Sequence, residues 1–177
     1  MFAFVKRWAV GLAADFVKEH ATVDQLAAIT ADAADTYDTE QIRAKVITLG
    51  LNGRYEIEAL TIEELAAVYN GTGPEFLPDT IRAKLDKIAK PFLPAVMVHD
   101  LDFERSDGSV QAFNEANDRL FENCVRCAID ARPWYSWRRY VLFVEAIAIY
   151  RACCKFGWAA WLSAFRKNQE SQEKLNA

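Results

Sequence analysis

One of the chain's two histidines, His99, lies in the run Val98-His99-Asp100-Leu101-Asp102-Phe103, and Asn117-Asp118-Arg119-Leu120-Phe121 follows after a short turn. An imidazole can take a proton from water near neutrality, an adjacent carboxylate can hold a metal ion, and a second carboxylate on the next helix can orient the imidazole and fix which ring nitrogen carries the proton. Together these residue types make a compact hydrolytic device. On a helix Asp100 points about 100° away from His99, so it cannot orient the same ring, but it can face a loop packed alongside. Tyr69-Asn70-Gly71-Thr72-Gly73-Pro74 is the candidate loop. Gly71 and Gly73, one residue apart, can turn backbone carbonyls toward a common point. Carbonyls plus a carboxylate are hard oxygen ligands suited to calcium.

These groups need a helical hairpin to hold them, and the sequence predicts one. Helices over 92–105 and 110–131 are joined by Glu104-Arg105-Ser106-Asp107-Gly108-Ser109. His99 and Phe103 lie one turn apart on the first helix. On the second, Val110, Phe113, Leu120, Phe121, Cys124 and Cys127 form the buried stripe, with Asn117 on it and Asp118 at its edge. A buried polar group needs a partner, and His99 is the natural partner for one of these two.

The remaining elements are also helical. Phe4, Trp8, Leu12 and Phe16 make residues 2–19 amphipathic, and Thr22-Val23-Asp24-Gln25 reads as a capping box for a helix to about Asp35. A third helix runs from about Thr39 to Leu49 and stops at Gly50. Thr61-Ile62-Glu63-Glu64 opens a short helix ending at Asn70-Gly71, and residues 79–90 form another, halted by Pro91. Residues 134–167 are helical, with a bend expected near Gly157. The expected fold class is all-α, multi-helical around the central antiparallel hairpin. The Asn52-Gly53 turn is the expected boundary between an N-terminal helical unit (1–52) and the segment carrying the motif (53–177).

Composition limits the function further. With 52% hydrophobic and 26% charged residues the chain is globular. Cys124, Cys127, Cys153 and Cys154 lack the spacing of a disulfide framework or zinc finger, so buried free thiols are expected. Lys6 and Arg7 stand where a signal peptide needs its apolar centre, and a cytoplasmic, reduced protein is the expectation. The net charge of −4 hides an asymmetry: residues 1–130 carry 13 basic against 22 acidic residues, whereas 131–167 carry seven bases and Glu145 alone. Four of the five tryptophans lie in that basic segment, which suits a long core helix with snorkelling cations, with an interfacial membrane helix or a nucleic-acid surface as the alternatives. Thr22 to Thr30 has the outline of a helix-turn-helix opening, but Asp32 and Asp35 would meet the phosphates, so no nucleic-acid partner is expected.

A glycine-rich loop after a Tyr, H-D-x-x-aromatic on a helix, and D-R on an antiparallel helix together resemble the calcium-dependent phospholipase A2 superfamily. The similarity is greatest to uncharacterised phage- and prophage-encoded proteins of that type. It is carried by Asn70-Gly71-Thr72-Gly73-Pro74, Pro94-Ala95-Val96-Met97-Val98-His99-Asp100 and Phe156-Gly157, and it covers about residues 60–165. The resemblance implies His99 as general base, Asp118 orienting it, and Asp100 with the Gly71 and Gly73 carbonyls binding a calcium ion that stabilises an oxyanion. That family carries a Tyr where this chain has Phe103, so the phenol that would bond the orienting Asp is absent from this position, and its glycine loop is held by a disulfide that this chain lacks.

Two classes of function follow. One is a calcium-dependent (phospho)lipid ester hydrolase, whose substrate lies in a membrane and for which Trp134, Trp137, Arg138 and Arg139 would edge the site. The other is a catalytically silent binding or assembly module, phage-derived, with the Trp/Arg-rich C-terminal helix contacting a protein partner.

Overall fold

A computed structural model describes residues 38–69 and 89–175. The helices expected over 2–19 and 22–35, most of the one over 79–90, and the Gly71/Gly73 loop lie outside the described residues.

Every regular element among the described residues is helical. The all-α expectation holds. Helix α1 (Thr39–Thr48) begins at a capping box in which Asp38 accepts from the Gln41 amide at 2.8 Å and Gln41 accepts from the Asp38 amide. It ends at Leu49, and Gly50 follows with φ 59°. The five-residue helix α2 (Arg54–Glu58) has no counterpart in the sequence reading, because one turn carries too little periodicity to detect. Helix α3 (Ile62–Val68) starts at the expected Thr61/Glu64 box.

A 3₁₀ turn at Lys90–Phe92, containing Pro91, leads into α4 (Leu93–Glu104), and α5 (Val110–Ala131) returns antiparallel to it. The connecting turn is built from local bonds: Asp107 accepts from the Ser109 amide, and Ser109 caps α5 by accepting from the Ala112 amide. Gly108 takes φ 77° there, a conformation that suits glycine. Helices α6 (Trp137–Phe156) and α7 (Trp158–Leu175) replace the single bent helix. A Cβ at Gly157 would come within 2.6 Å of the Cys153 carbonyl, so the closeness at this bend requires glycine.

One apolar core runs through these helices. Ile42, Val46 and Leu51 pack with Phe92, Ala95, Val98, Leu120 and Cys124, and Leu142 and Ala146 of α6 close it. That core continues across Asn52-Gly53, where the sequence placed a boundary. The turn is clamped to α5 by fully buried Asn123, which accepts from the Asn52 amide at 2.8 Å and donates to the Asn52 carbonyl at 2.9 Å. Arg126 adds a bond to the Gly50 carbonyl. A second cluster, Phe113, Ala116 and Trp161 with Phe103 and Trp158, seats α7 beside the upper hairpin. Ser106 reinforces it by donating to the Trp161 carbonyl at 3.0 Å.

Candidate functional site

His99 lies between α4 and α5, 8% exposed, with its ring 4.4 Å from that of Phe103 one turn later. Phe103 in turn meets Trp161 edge-on at 5.1 Å, so the aromatic cluster walls one side of the imidazole. The ring's polar partner is Asn117, whose Oδ1 stands 3.2 Å from Nε2. Asn117 Nδ2 donates to the Phe113 carbonyl at 2.9 Å, one turn back on its own helix. Its amide nitrogen is thereby committed, so Oδ1 must accept and His99 Nε2 must carry the proton. Nδ1 is left with its lone pair. Burial lowers the His99 pKa to about 4, the Asn117 bond opposing this in part, and the ring is neutral at physiological pH.

Of the two polar candidates on α5, it is therefore Asn117 that meets the imidazole. Asp118, one residue on and about 100° further round the helix, accepts instead from the Tyr150 hydroxyl of α6 at 3.1 Å. The phenol that Phe103 does not supply reaches Asp118 from this other helix. Asp118 also lines an open groove of about 520 Å³ between the Asn52-Gly53 turn, α2 and α5, which His99 does not line. Glu56, Glu115 and Glu122 give that groove an acidic wall, offset by Arg54 and Arg119.

Asp100 follows His99 but faces another way. Its Oδ2 is buried without a hydrogen-bond partner among the described residues, and burial pushes its pKa well above the usual carboxylate range. The Cys153 thiol of α6 is raised to about 12, first by burial and then by repulsion from Cys154 and Asp100 in their ionised forms. Gly71 and Gly73 lie outside the described residues, and no group of three metal-ligating side chains occurs among those that are described. Asp102 is tied to Arg119 at 3.0 Å, while burial raises its pKa to about 6 against that attraction. It is a paired group.

None of the four cysteines forms a disulfide; Cys124 and Cys127 are buried, Cys153 half-buried and Cys154 exposed. Glu145 was not singled out as a site residue by sequence reasoning. It is fully buried, both carboxylate oxygens lack a partner among the described residues, and burial raises its pKa to about 8. Its signal was present: it is the lone charge in Val141-Leu142-Phe143-Val144-Glu145-Ala146-Ile147-Ala148-Ile149. Tyr150 carried no such mark, since a tyrosine on an apolar helix looks like packing.

No described helix is long and apolar enough to cross a membrane. No protein-family model, curated protein or solved structure matches this chain.

Proposed function

We propose that the hairpin carries a calcium-dependent hydrolase of (phospho)lipid esters, with His99 as the base that activates water. The observation that supports this reading is the bond between His99 Nε2 and Asn117, which commits one ring nitrogen and leaves Nδ1 as an unprotonated base. In the reaction Nδ1 takes a proton from water as the water oxygen attacks the ester carbonyl. The ring becomes imidazolium, and its Nε2–H bond to Asn117 strengthens because the donor is now charged. The proton then passes to the departing alkoxide as the ester C–O bond breaks, leaving a carboxylic acid and an alcohol. Asn117 thus takes the ring-holding role that the resemblance gives to Asp118. Being neutral, it raises the ring's pKa by less than burial lowers it.

The orphaned Oδ2 of Asp100 suits a cation, because a buried carboxylate oxygen without a partner is costly. Asp100 with the Gly71 and Gly73 carbonyls would hold calcium. When bound, the ion supplies Lewis-acid stabilisation of the oxyanion and a seat for the substrate phosphate. The test is calorimetric titration of wild type and Asp100→Asn with calcium, with magnesium as control. Calcium-selective heat that vanishes in the variant is expected, and no heat at millimolar calcium would overturn the reading.

A catalytically silent module that contacts a protein partner is the second reading. The observation that favours it is the group of four aromatics left largely free at the α5–α6 corner. Such a module would be indifferent to calcium.

A further inference from the structure

The chain between Ala131 and the second turn of α6 exposes aromatic surface to an unusual degree. Trp134 is 76% exposed, Tyr135 74%, Trp137 60% and Tyr140 62%. They project from the end of the bundle where α5 turns into α6. Their support is slight: Trp134 meets Tyr135 edge-on at 5.9 Å, and Arg138 lies over the Trp137 ring at 5.9 Å. Soluble monomers rarely present contiguous apolar area of this kind without a use for it.

Charge narrows the choice of partner. Arg132, Arg138 and Arg139 sit among the aromatics, and the stretch from 131 to 144 has no acidic residue. Exposed Asp130 precedes it, and Glu145 behind it is buried. Arg132 and Arg139 donate to the Ala131 and Ile129 carbonyls at the end of α5, and Arg138, lying over Trp137, is the exposed cation among them. A second copy docked about a two-fold axis would set these arginines against their own counterparts. The aromatics are Trp and Tyr, each an apolar body with a polar edge, which suits the headgroup layer of a bilayer. Flanking arginines add attraction to anionic lipid.

We propose that this corner, Trp134, Tyr135, Trp137 and Tyr140 with Arg132 and Arg138, docks the protein on an anionic phospholipid surface. The choice of a bilayer over a protein groove rests on the lipid-ester reading of His99, and the two are tested apart. Co-flotation is measured in chelator with phosphatidylcholine vesicles, with and without phosphatidylserine. Wild type floats with the anionic vesicles and much less with the neutral ones. Each arginine near the surface is worth about fivefold in binding, so Arg132→Ser/Arg138→Ser lowers it by roughly 25-fold, and Trp134→Ser/Trp137→Ser abolishes it. Trp134, Trp137 and Arg138 are exposed and Arg132 is half-buried, and unchanged circular dichroism confirms that the variants fold.

Absence of flotation, flotation unaffected by either pair of changes, or capture of an acidic peptide or single-stranded nucleic acid in preference to vesicles would overturn the proposal. Hydrolysis of a water-soluble ester without vesicles reports on His99 separately. Flotation lost with turnover present defeats the docking surface alone, and flotation present without turnover defeats the hydrolase alone.

Discussion

Replacing Asn117 by Asp puts a carboxylate where a neutral carbonyl oxygen now stands 3.2 Å from His99 Nε2. At an effective dielectric constant near 20, the attraction between that carboxylate and an imidazolium is about 5 kcal/mol. One pH unit corresponds to about 1.4 kcal/mol, so the gross effect is between three and four units. Burying the new carboxylate takes back part of this, and a net rise of roughly two to three units is expected. An opposite charge favours the protonated ring, so the direction is upward. His99 would move from about 4 to the range of an ordinary histidine. The assay is an NMR titration of the imidazole carbons, assigned by comparison with His99→Gln because His20 is the only other histidine. Since the base must be unprotonated, the acid limb of any hydrolysis profile should rise by the same interval. A wild-type His99 titrating near its ordinary value, or an Asn117→Asp ring still titrating near 4, would refute the assigned bond and the burial together.

Linkage gives further expectations. The native His99 pKa lies below its unfolded value, so the unfolded state binds more protons between the two, and stability is lost as pH falls from about 6.5 to about 4, by roughly 3 kcal/mol. His99→Gln should flatten that acid limb in melts at stepped pH; an unchanged limb would show that another group causes it. Glu145 acts in the opposite sense, because its native pKa near 8 lies above the unfolded one, and stability falls as pH rises from about 4.5 to 8. Glu145→Gln should match wild type near pH 5 and exceed it by a few kcal/mol near pH 8, and a pH-independent difference would contradict its buried, protonated state. Asn123→Ala removes both bonds to Asn52 and leaves a backbone amide and carbonyl without partners, at a cost of roughly 2–4 kcal/mol. Urea denaturation should show a lower midpoint at unchanged slope, and a loss below about 0.5 kcal/mol would mean the clamp is not formed.

The hairpin was legible because its signals are local. Ser106-Asp107-Gly108-Ser109 marks the turn, and apolar spacing defines the buried stripe of α5 except at Val110, which begins the helix and is exposed. The Thr61/Glu64 box and the Gly50 stop are local in the same way. The site's pairing was less accessible. Asn117 and Asp118 differ by about 100° round one helix, and which of them meets His99 depends on how α4 crosses α5, which no short window encodes. The Tyr150 bond to Asp118 and the Asn123 clamp join residues 32 and 71 positions apart. Such contacts follow from tertiary packing, as does the continuity of the core past Asn52-Gly53.

The most direct measurement is hydrolysis of a short-chain, water-soluble phospholipid by wild type and His99→Gln, with calcium and with chelator. Turnover that needs calcium and is lost in the variant is the expected result. Turnover absent from the folded wild type with calcium, or equal in His99→Gln, would contradict the assignment of His99 as the base.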